Sequence, residues 1–244
     1  MAKAVQAALT TSVVVFGFDP DPGTASSRAL QVLTVRNSLP SADVEGRERA
    51  AAAAAGAVSA AGLDLEGRGR GRGRVAPLQL IGLGDEPGRG ARTLGLWYMT
   101  TAPYGEVAGP GRWSSAGRGL RLDAAGQAVL RVALERLRAE TKNVAGAAAL
   151  LGDVFTGDDL LRLHIALHGG PKGSERTFRR RVQELRDSGV LRPVRDSEVP
   201  ALRVRVPRFR SPAGTGGRPP ELLRYSGSGG EEEQLAGLRA RRSA

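Results

Sequence analysis

The sequence predicts an α/β fold in its first half, then a long helix, and then a C-terminal part of helices and a short β-hairpin. Short apolar runs and an alanine-rich stretch predict the strands and the helix of the first half. An amphipathic stretch at residues 174–190 predicts the C-terminal part, since its apolar residues recur at helical spacing. A chain of 244 residues is long enough for two modest domains.

Four apolar runs of the first half are typical of buried strands: residues 12–18, 30–36, 78–83 and 94–100. Alanine dominates residues 47–61, which favours a helix because alanine has the highest helix propensity. Residues 37–46 are predicted to form the loop between strand and helix. The repetitive stretch EGRGRGRGR at residues 66–74 indicates an exposed loop, and RNA binding by this tract is the alternative.

A long helix is predicted over residues 123–141, between the two halves. Asp123 suits its N-cap, because a carboxylate there accepts a hydrogen bond from a free N–H group of the first turn. Its apolar stripe consists of Leu130, Ala133, Leu134 and Leu137. We expect this helix to link two domains, and it also suits a dimer interface.

The C-terminal half begins with a helix predicted over residues 144–151. Thr156 and Asp159 then have the layout of a capping box at the start of a second helix. A Gly-Gly-Pro run at residues 169–171 ends that helix, because glycine and proline both stop helical pairing. Residues 174–190 follow as the third helix, with Gly189 near its end.

Two short strands are predicted downstream, at residues 190–194 and 201–206. The second prediction depends on the alternation of apolar Leu202 and Val204 with arginines. Residues 207–220 are rich in Pro, Gly, Arg and Ser and predict an extended wing loop. Helix, tight turn, basic helix and β-hairpin in this order are typical of a winged helix-turn-helix.

The basic helix at residues 174–190 has two different faces. An apolar stripe of Phe178, Val182 and Leu185 lies opposite a face of arginine and glutamine. Arginine reads guanine edges and grips phosphates, and glutamine reads adenine, so this face suits a DNA major groove. A solvated basic face on an ordinary surface helix is the alternative. The predicted DNA-contacting residues, including turn and wing positions, are Lys172, Ser174, Arg176, Thr177, Arg179, Arg180, Gln183 and Arg218.

Composition limits the classes of function. The formal net charge of +11 and pI near 11.2 fit a polyanionic partner, either nucleic acid or an acidic membrane surface. A GC-rich genome is the alternative explanation, because arginine supplies almost all of this charge. The absence of cysteine excludes disulfides and thiolate catalysis and suits the cytoplasm. No apolar run approaches the roughly 20 residues of a membrane-spanning helix, so no membrane association is expected.

Candidate catalytic and metal sites are scarce. His164 and His168 have the i, i+4 spacing of a zinc pair, yet no cysteine or third ligand is evident nearby. Packing and capping are therefore the favoured roles of both histidines. The sequence contains no glycine-rich loop of the kind that binds phosphates, and its spacing predicts no Ser-His-Asp arrangement for nucleophilic catalysis. We predict no metal, no cofactor and no catalytic residue.

The chain resembles the Nudix-related transcriptional regulators, in which a Nudix-fold sensor precedes a winged helix. The opening strands of a Nudix domain are similar to SVVVFGF and ALQVLTVRNSLP. The signature loop and helix of that domain are similar to LPSADVEGRERAAAAAAGAVSAAGL. The strands that follow are similar to LQLIGLGDEPGRGARTLGLWYMTTAP. The family's linking helix resembles DAAGQAVLRVALERLRAET, and its C-terminal half resembles FTGDDLLRLHIALHGG, ERTFRRRV and GGRPPELLRY.

This resemblance implies four segments. A Nudix-like α/β/α sandwich with a mixed sheet would occupy residues 1–121, and a linking helix residues 122–143. A winged helix-turn-helix would occupy residues 144–225, and a disordered tail residues 226–244. The implied function is a transcriptional regulator, most simply a repressor, that binds a palindromic operator in double-stranded DNA as a homodimer.

The same resemblance also predicts that the Nudix chemistry is lost. In catalytic members, glutamates on one helix face hold a divalent metal that activates water. Counting back from Gly62, which matches the closing glycine of that signature, the glutamate positions hold Gly56, Ser59 and Ala60. Anchoring the signature on Leu39 and Pro40 shifts them to Ala57, Ala60 and Ala61. Glu45 and Glu48 lie ahead of the helix or at its start, where solvated loop acids are the simpler interpretation.

The family's effector is ADP-ribose or a related nucleotide, and the resemblance implies such a ligand here. Candidate ligand-binding residues are Arg36, Arg89 and Arg92 for phosphate and Trp97 for stacking on a base. Trp97 and Tyr98 are also explained by strand alternation alone. The competing functions are a Nudix-type hydrolase of nucleoside diphosphate derivatives, which the missing glutamates disfavour, and an RNA-binding protein.

Overall fold

A computed structural model describes residues 8–21, 23–65, 75–86, 93–117, 119–169, 175–205 and 220–227. The chain forms two compact units. Unit 1 lies within Met1–Gly17 and Gln31–Leu137, and unit 2 lies within Phe18–Leu30 and Arg138–Ala244. The chain therefore passes from one unit to the other after Gly17, after Leu30 and after Leu137.

Unit 1 contains a six-stranded mixed sheet in the order β4-β5-β1-β2-β6, with β3 also paired to β1. β1 and β5 run parallel, whereas β1–β3, β2–β6 and β4–β5 are antiparallel pairs. The strands are β1 (Ala8–Phe18), β2 (Leu30–Val35), β3 (Ser41–Asp43), β4 (Gln79–Glu86), β5 (Thr93–Thr101) and β6 (Gly111–Ser115).

The core of unit 1 forms between this sheet and helix α1 (Ala50–Ala60). Val13 and Val15 of β1 are fully buried, as expected for a β-branched run in a central strand. They pack with Leu33 of β2 and with Ala54 and Val58 of α1. The small alanine side chains let α1 lie close to the sheet, and burying apolar surface in this way drives the folding of the unit.

The four strands and the helix predicted for the first half are confirmed, with ends that differ by a few residues. β3 and β6 were not predicted. β3 falls inside the predicted loop at 37–46 and is too short to show a period, and β6 has the polar sequence GRWSS. Pairing with neighbouring strands, which the local sequence does not encode, makes both of them strands. The predicted exposed loop at 66–74 lies outside the described residues.

Helix α2 (Ala124–Glu140) confirms the predicted long helix. The Asp123 carboxylate accepts a 2.7 Å hydrogen bond from the Gly126 N–H, as predicted for its N-cap. Leu130, Ala133 and Leu137 of the predicted stripe are buried, together with Val129.

Unit 2 combines helices with a three-stranded antiparallel sheet in the order β7-β9-β8. A 3-10 turn, Ser26–Arg28, also belongs to it. Its other elements are α3 (Val144–Leu151), β7 (Phe155–Thr156), α4 (Gly157–His168), α5 (Glu175–Asp187), β8 (Leu191–Pro193), α6 (Val199–Arg205) and β9 (Leu222–Tyr225).

The predicted strand at 201–206 is wrong, because residues Val199–Arg205 form helix α6. Val199 and Leu202, three residues apart, pack against buried Val194 and Leu222. A proline in the first helical turn loses no hydrogen bond, so Pro200 favours a helix here. The strand that pairs with β8 is β9 instead. The predicted wing loop at 207–220 lies almost entirely outside the described residues.

Across the described ranges, no helix combines the length and the apolar character that crossing a membrane requires.

Candidate nucleic-acid interface

Helix α4 is fixed at its start by the predicted capping box. The Thr156 hydroxyl accepts a hydrogen bond of 3.1 Å from the Asp159 N–H, and the Asp159 carboxylate accepts one of 2.9 Å from the Thr156 N–H. Leu160, Leu163 and Leu167 are buried along one face. Gly169 ends the helix with a left-handed φ of 74°, which glycine adopts without steric cost.

Helix α5 is held by the apolar stripe that its sequence predicts. Phe178, Val182 and Leu185 are 4%, 8% and 1% exposed. The Phe178 ring lies 5.3 Å, centroid to centroid, from the imidazole of His164 on α4. Because the three anchors share one face, the opposite face of α5 points to solvent.

That solvent face carries the predicted DNA-contacting residues of α5. Arg176, Arg179, Arg180 and Gln183 are all exposed, and Thr177 is half-buried. The side chains of Arg179 and Arg180 are 67% and 69% exposed. The structure therefore brings these residues together along one accessible helix surface.

The arginines of this face make long ion pairs. Arg179 lies 3.8 Å from Asp158 and 3.9 Å from Glu175, and Arg180 lies 3.6 Å from Glu184. Exposed pairs of this kind are worth at most about 1 kcal/mol and are screened by salt. A phosphate or base edge can therefore displace the carboxylates at small cost.

The end of α5 borders a groove of about 330 Å³ between the start of α4 and the start of β9. Arg186 lines it and donates hydrogen bonds of 2.9 Å to Gln183 and 2.8 Å to Glu221. Gln183 also donates to Asp187 at 2.8 Å. Sequence reasoning missed Arg186. Its position three residues after Gln183, on the same helix face, was the signal that could have found it.

Other predicted site residues lie outside the described part of the chain. These are Lys172, Ser174 and Arg218 of the predicted DNA surface, and Arg89 and Arg92 of the predicted ligand site.

The structure does not place the two described residues of the predicted ligand site on adjacent elements. Arg36 is exposed in a left-handed turn (φ 52°) after β2, whereas Trp97 lies within β5, and β1 runs between these strands. Trp97 packs against Gly82 and Gly84 of β4, where a larger side chain would collide with the indole. Its indole nitrogen is buried and has no hydrogen-bond partner within the described part of the chain.

The residues at the positions that the resemblance assigns to the Nudix glutamates do not offer the ligands of a divalent metal. Gly56, Ser59 and Ala60 are exposed on α1, so the register anchored on Gly62 presents its three positions on one accessible face. These residues offer at most a hydroxyl, whereas Mg²⁺ and Mn²⁺ need carboxylate oxygens. Gly62 itself has a φ of 99° and lies against the backbone of Gly109, where any Cβ would clash.

The histidine pair is a packing element of α4. The rings of His164 and His168 lie 4.8 Å apart, and burial lowers the pKa of His164. In the described ranges, no group of three His, Cys, Asp or Glu residues is arranged to hold a metal ion.

Unit 1 is therefore a mixed α/β structure of one sheet with a packed helix, and unit 2 is a small helical unit with a three-stranded sheet. The fold resembles that of NrtR, a Nudix-related transcriptional regulator. Shewanella oneidensis NrtR in complex with a 27-mer DNA is similar with a TM-score of 0.60 and 17% identity. The match covers 89% of this chain and 93% of that one.

Two further solved structures show the same likeness. Another crystal structure of Shewanella oneidensis NrtR gives a TM-score of 0.59 at 16% identity, covering 89% of this chain and 93% of that chain. A MutT/nudix family protein from Enterococcus faecalis gives 0.52 at 12% identity, covering 92% and 88%. No protein-family model and no curated protein matches the sequence. At this level of identity, the likeness is one of fold.

Proposed function

We propose that this protein is a DNA-binding transcriptional regulator, with a winged helix-turn-helix at residues 144–225 that reads DNA through α5. The observation that carries the proposal is the geometry of α5. Three buried anchors fix the helix, and its arginines and Gln183 extend from the opposite face into solvent. Exposed positive charge that is held only in weak ion pairs on a rigid helix surface suits docking in a major groove. The similar NrtR structure with a 27-mer DNA supports this assignment.

The proposal includes a homodimer that acts as a repressor on a palindromic operator. A two-fold dimer presents two α5 helices to two half-sites separated by whole turns of the duplex. The same proposal assigns residues 122–143 as the segment that links the two domains. It also places this cysteine-free chain in the cytoplasm.

The N-terminal domain, residues 1–121, is proposed to sense a nucleotide-type effector such as ADP-ribose without hydrolysing it. Arg36, Arg89 and Arg92 would contact phosphate, and Trp97 would contact the base. Two observations support this: an α1 face without carboxylates, and a buried indole N–H on Trp97 that lacks an acceptor in the described structure. A site of this kind binds a ligand but supplies no metal-activated water.

In vitro selection of bound duplexes from a random pool tests the proposal. We expect an inverted repeat. On the selected operator, Arg180→Ala or Gln183→Ala should cost about 1 to 3 kcal/mol of binding free energy and relax base preference. These residues are exposed, so the fold should be unaffected.

The matched control is Arg112→Ala, which removes an exposed arginine of β6 and should leave operator affinity unchanged. Equal loss of affinity for operator and random DNA would show that Arg180 and Gln183 touch phosphate and not bases. Selection that returns no enriched duplex would contradict the proposed function itself.

A further inference from the structure

The segment between β1 and β2 is part of unit 2 and is folded around one carboxylate. Asp19 is buried, and its carboxylate accepts hydrogen bonds from the Asp21 N–H at 3.0 Å and the Thr24 hydroxyl at 2.8 Å. A further bond of 2.7 Å joins the Asp19 N–H to the Ala29 carbonyl across the base of the segment. These bonds shape the segment so that several of its carbonyl groups can be reached by one side chain.

Arg162 of α4 occupies this ring of carbonyls. Its guanidinium donates hydrogen bonds of 2.9 Å to Pro20, 2.6 Å to Asp21 and 2.9 Å to Thr24, with a longer contact of 3.4 Å to Asp19. The guanidinium carbon also lies 5.6 Å from the centre of the Phe18 ring. A planar fork with five N–H donors can bind several carbonyls at once, whereas a lysine ammonium acts as a single point charge.

We propose that this clasp, Arg162 with residues 19–21 and 24, transmits the state of unit 1 to the DNA-reading helices. The chain passes between the units at three places, and two of them, after Gly17 and after Leu30, bound the clasped segment. A ligand that shifts the ends of β1 and β2 therefore moves a segment bonded to α4. Because α4 contacts α5 through His164 and Phe178, the displacement reaches the reading surface. The regulatory role of the clasp rests on the proposed function, whereas the mechanical link between the segment and α4 does not.

Calorimetry and hydrogen exchange of the full chain test the mechanical link. The variants are Arg162→Gln and Arg162→Lys, with Arg112→Gln on β6 as the matched control. We expect one cooperative melting transition for the unmodified protein and for the control. Both Arg162 variants should show two transitions, and the amides of Asp21 and Thr24 should exchange at least about tenfold faster. Two transitions in the unmodified protein, or unchanged melting and exchange in both Arg162 variants, would overturn the proposal.

Operator binding with and without ADP-ribose tests the regulatory meaning. We expect a ligand effect on DNA affinity of about 5- to 150-fold in the unmodified protein, the usual range of coupling between sites. In Arg162→Gln, this effect should fall below about twofold, while each ligand alone binds almost as before. A full ligand effect in that variant would refute the clasp as the route. If the unmodified protein shows no ligand effect, the proposed sensing fails, and calorimetry still decides whether the clasp couples the melting of the two units.

Discussion

Phe178 is the largest of the three anchors that orient α5, and it is almost fully buried. Phe178→Ala should lower the free energy of unfolding by about 3 to 5 kcal/mol, because the lost ring leaves a cavity between α5 and α4. Urea unfolding followed by circular dichroism measures this change. Arg180→Ala, on the opposite face of the same helix, should change it by less than about 0.5 kcal/mol. If both variants had equal stability, the inward face of α5 would be wrongly assigned.

His164 makes the stability of unit 2 depend on pH. Burial lowers the pKa of its imidazole, and its ring contacts His168 and Phe178. The unfolded chain therefore binds a proton more readily than the folded one, so stability rises with pH through this window. We expect the free energy of unfolding to fall as pH drops below about 6.5, the ordinary pKa of histidine.

The pH dependence is checked by urea unfolding at several pH values between 5 and 8. His164→Gln should flatten the curve, whereas His168→Gln should leave the His164 contribution in place. If the free energy of unfolding of His164→Gln still fell with decreasing pH as steeply as that of the unmodified protein, the titrating group would be a residue other than His164.

Among single residues, sequence reasoning predicted the apolar anchors and the exposed face but not the polar partners. Phe178, Val182 and Leu185 share a helix face by spacing alone, which needs no knowledge of the fold. Arg186 pairs with Glu221, 35 residues away, and Arg162 binds carbonyls about 140 residues earlier in the chain. Such pairs depend on topology. Helical spacing places Arg186 on the face of Gln183, but nothing in the local sequence identifies Glu221 or the distant carbonyls as partners.

At the scale of elements, Thr156 takes part in both hydrogen bonds of the capping box that starts helix α4, one through its hydroxyl and one through its N–H. Thr156→Ala should lower the free energy of unfolding by about 0.5 to 2 kcal/mol, since the Asp159 N–H loses its acceptor. Thr156→Ser keeps the hydroxyl and should recover most of that loss. Thermal unfolding of the three proteins measures the difference. Equal destabilisation by alanine and serine would mean that the threonine methyl, and not the cap, matters.

At the level of elements, long periodic segments were predictable and short ones were not. α2 and α4 have enough turns for an apolar stripe and a cap to agree, and α5 has enough turns to show its apolar stripe. Val199–Arg205 spans only seven residues, over which the same apolar positions satisfy a strand and a helix. The helix is stabilised by packing against Val194 and Leu222, and these tertiary contacts are not encoded in the segment itself.

At the scale of the whole molecule, the net charge and the two units suit the two roles proposed above, DNA binding and ligand sensing. The net charge of +11 favours association with a polyanion, while the fixed face of α5 supplies a surface that can discriminate among sequences. In the α/β unit, α1 carries glycine, serine and alanine at the positions that the resemblance assigns to the Nudix glutamates, which fits the proposed sensor without turnover. Binding without turnover is the behaviour that a sensor requires.

We therefore expect no metal-dependent hydrolysis of ADP-ribose by the full chain with Mg²⁺ or Mn²⁺, measured by product chromatography. The physical reason is that Gly56, Ser59 and Ala60 cannot neutralise a divalent ion, so no bound water is activated. The triple variant Gly56→Glu, Ser59→Glu, Ala60→Glu places three carboxylates on the exposed face of α1 and should gain measurable Mn²⁺ affinity by calorimetry. Placing glutamates instead at buried Ala57 and Ala61 should unfold unit 1, because buried charges need partners. Turnover by the unmodified protein at ordinary enzyme rates would show that the chemistry survives through residues other than the α1 positions.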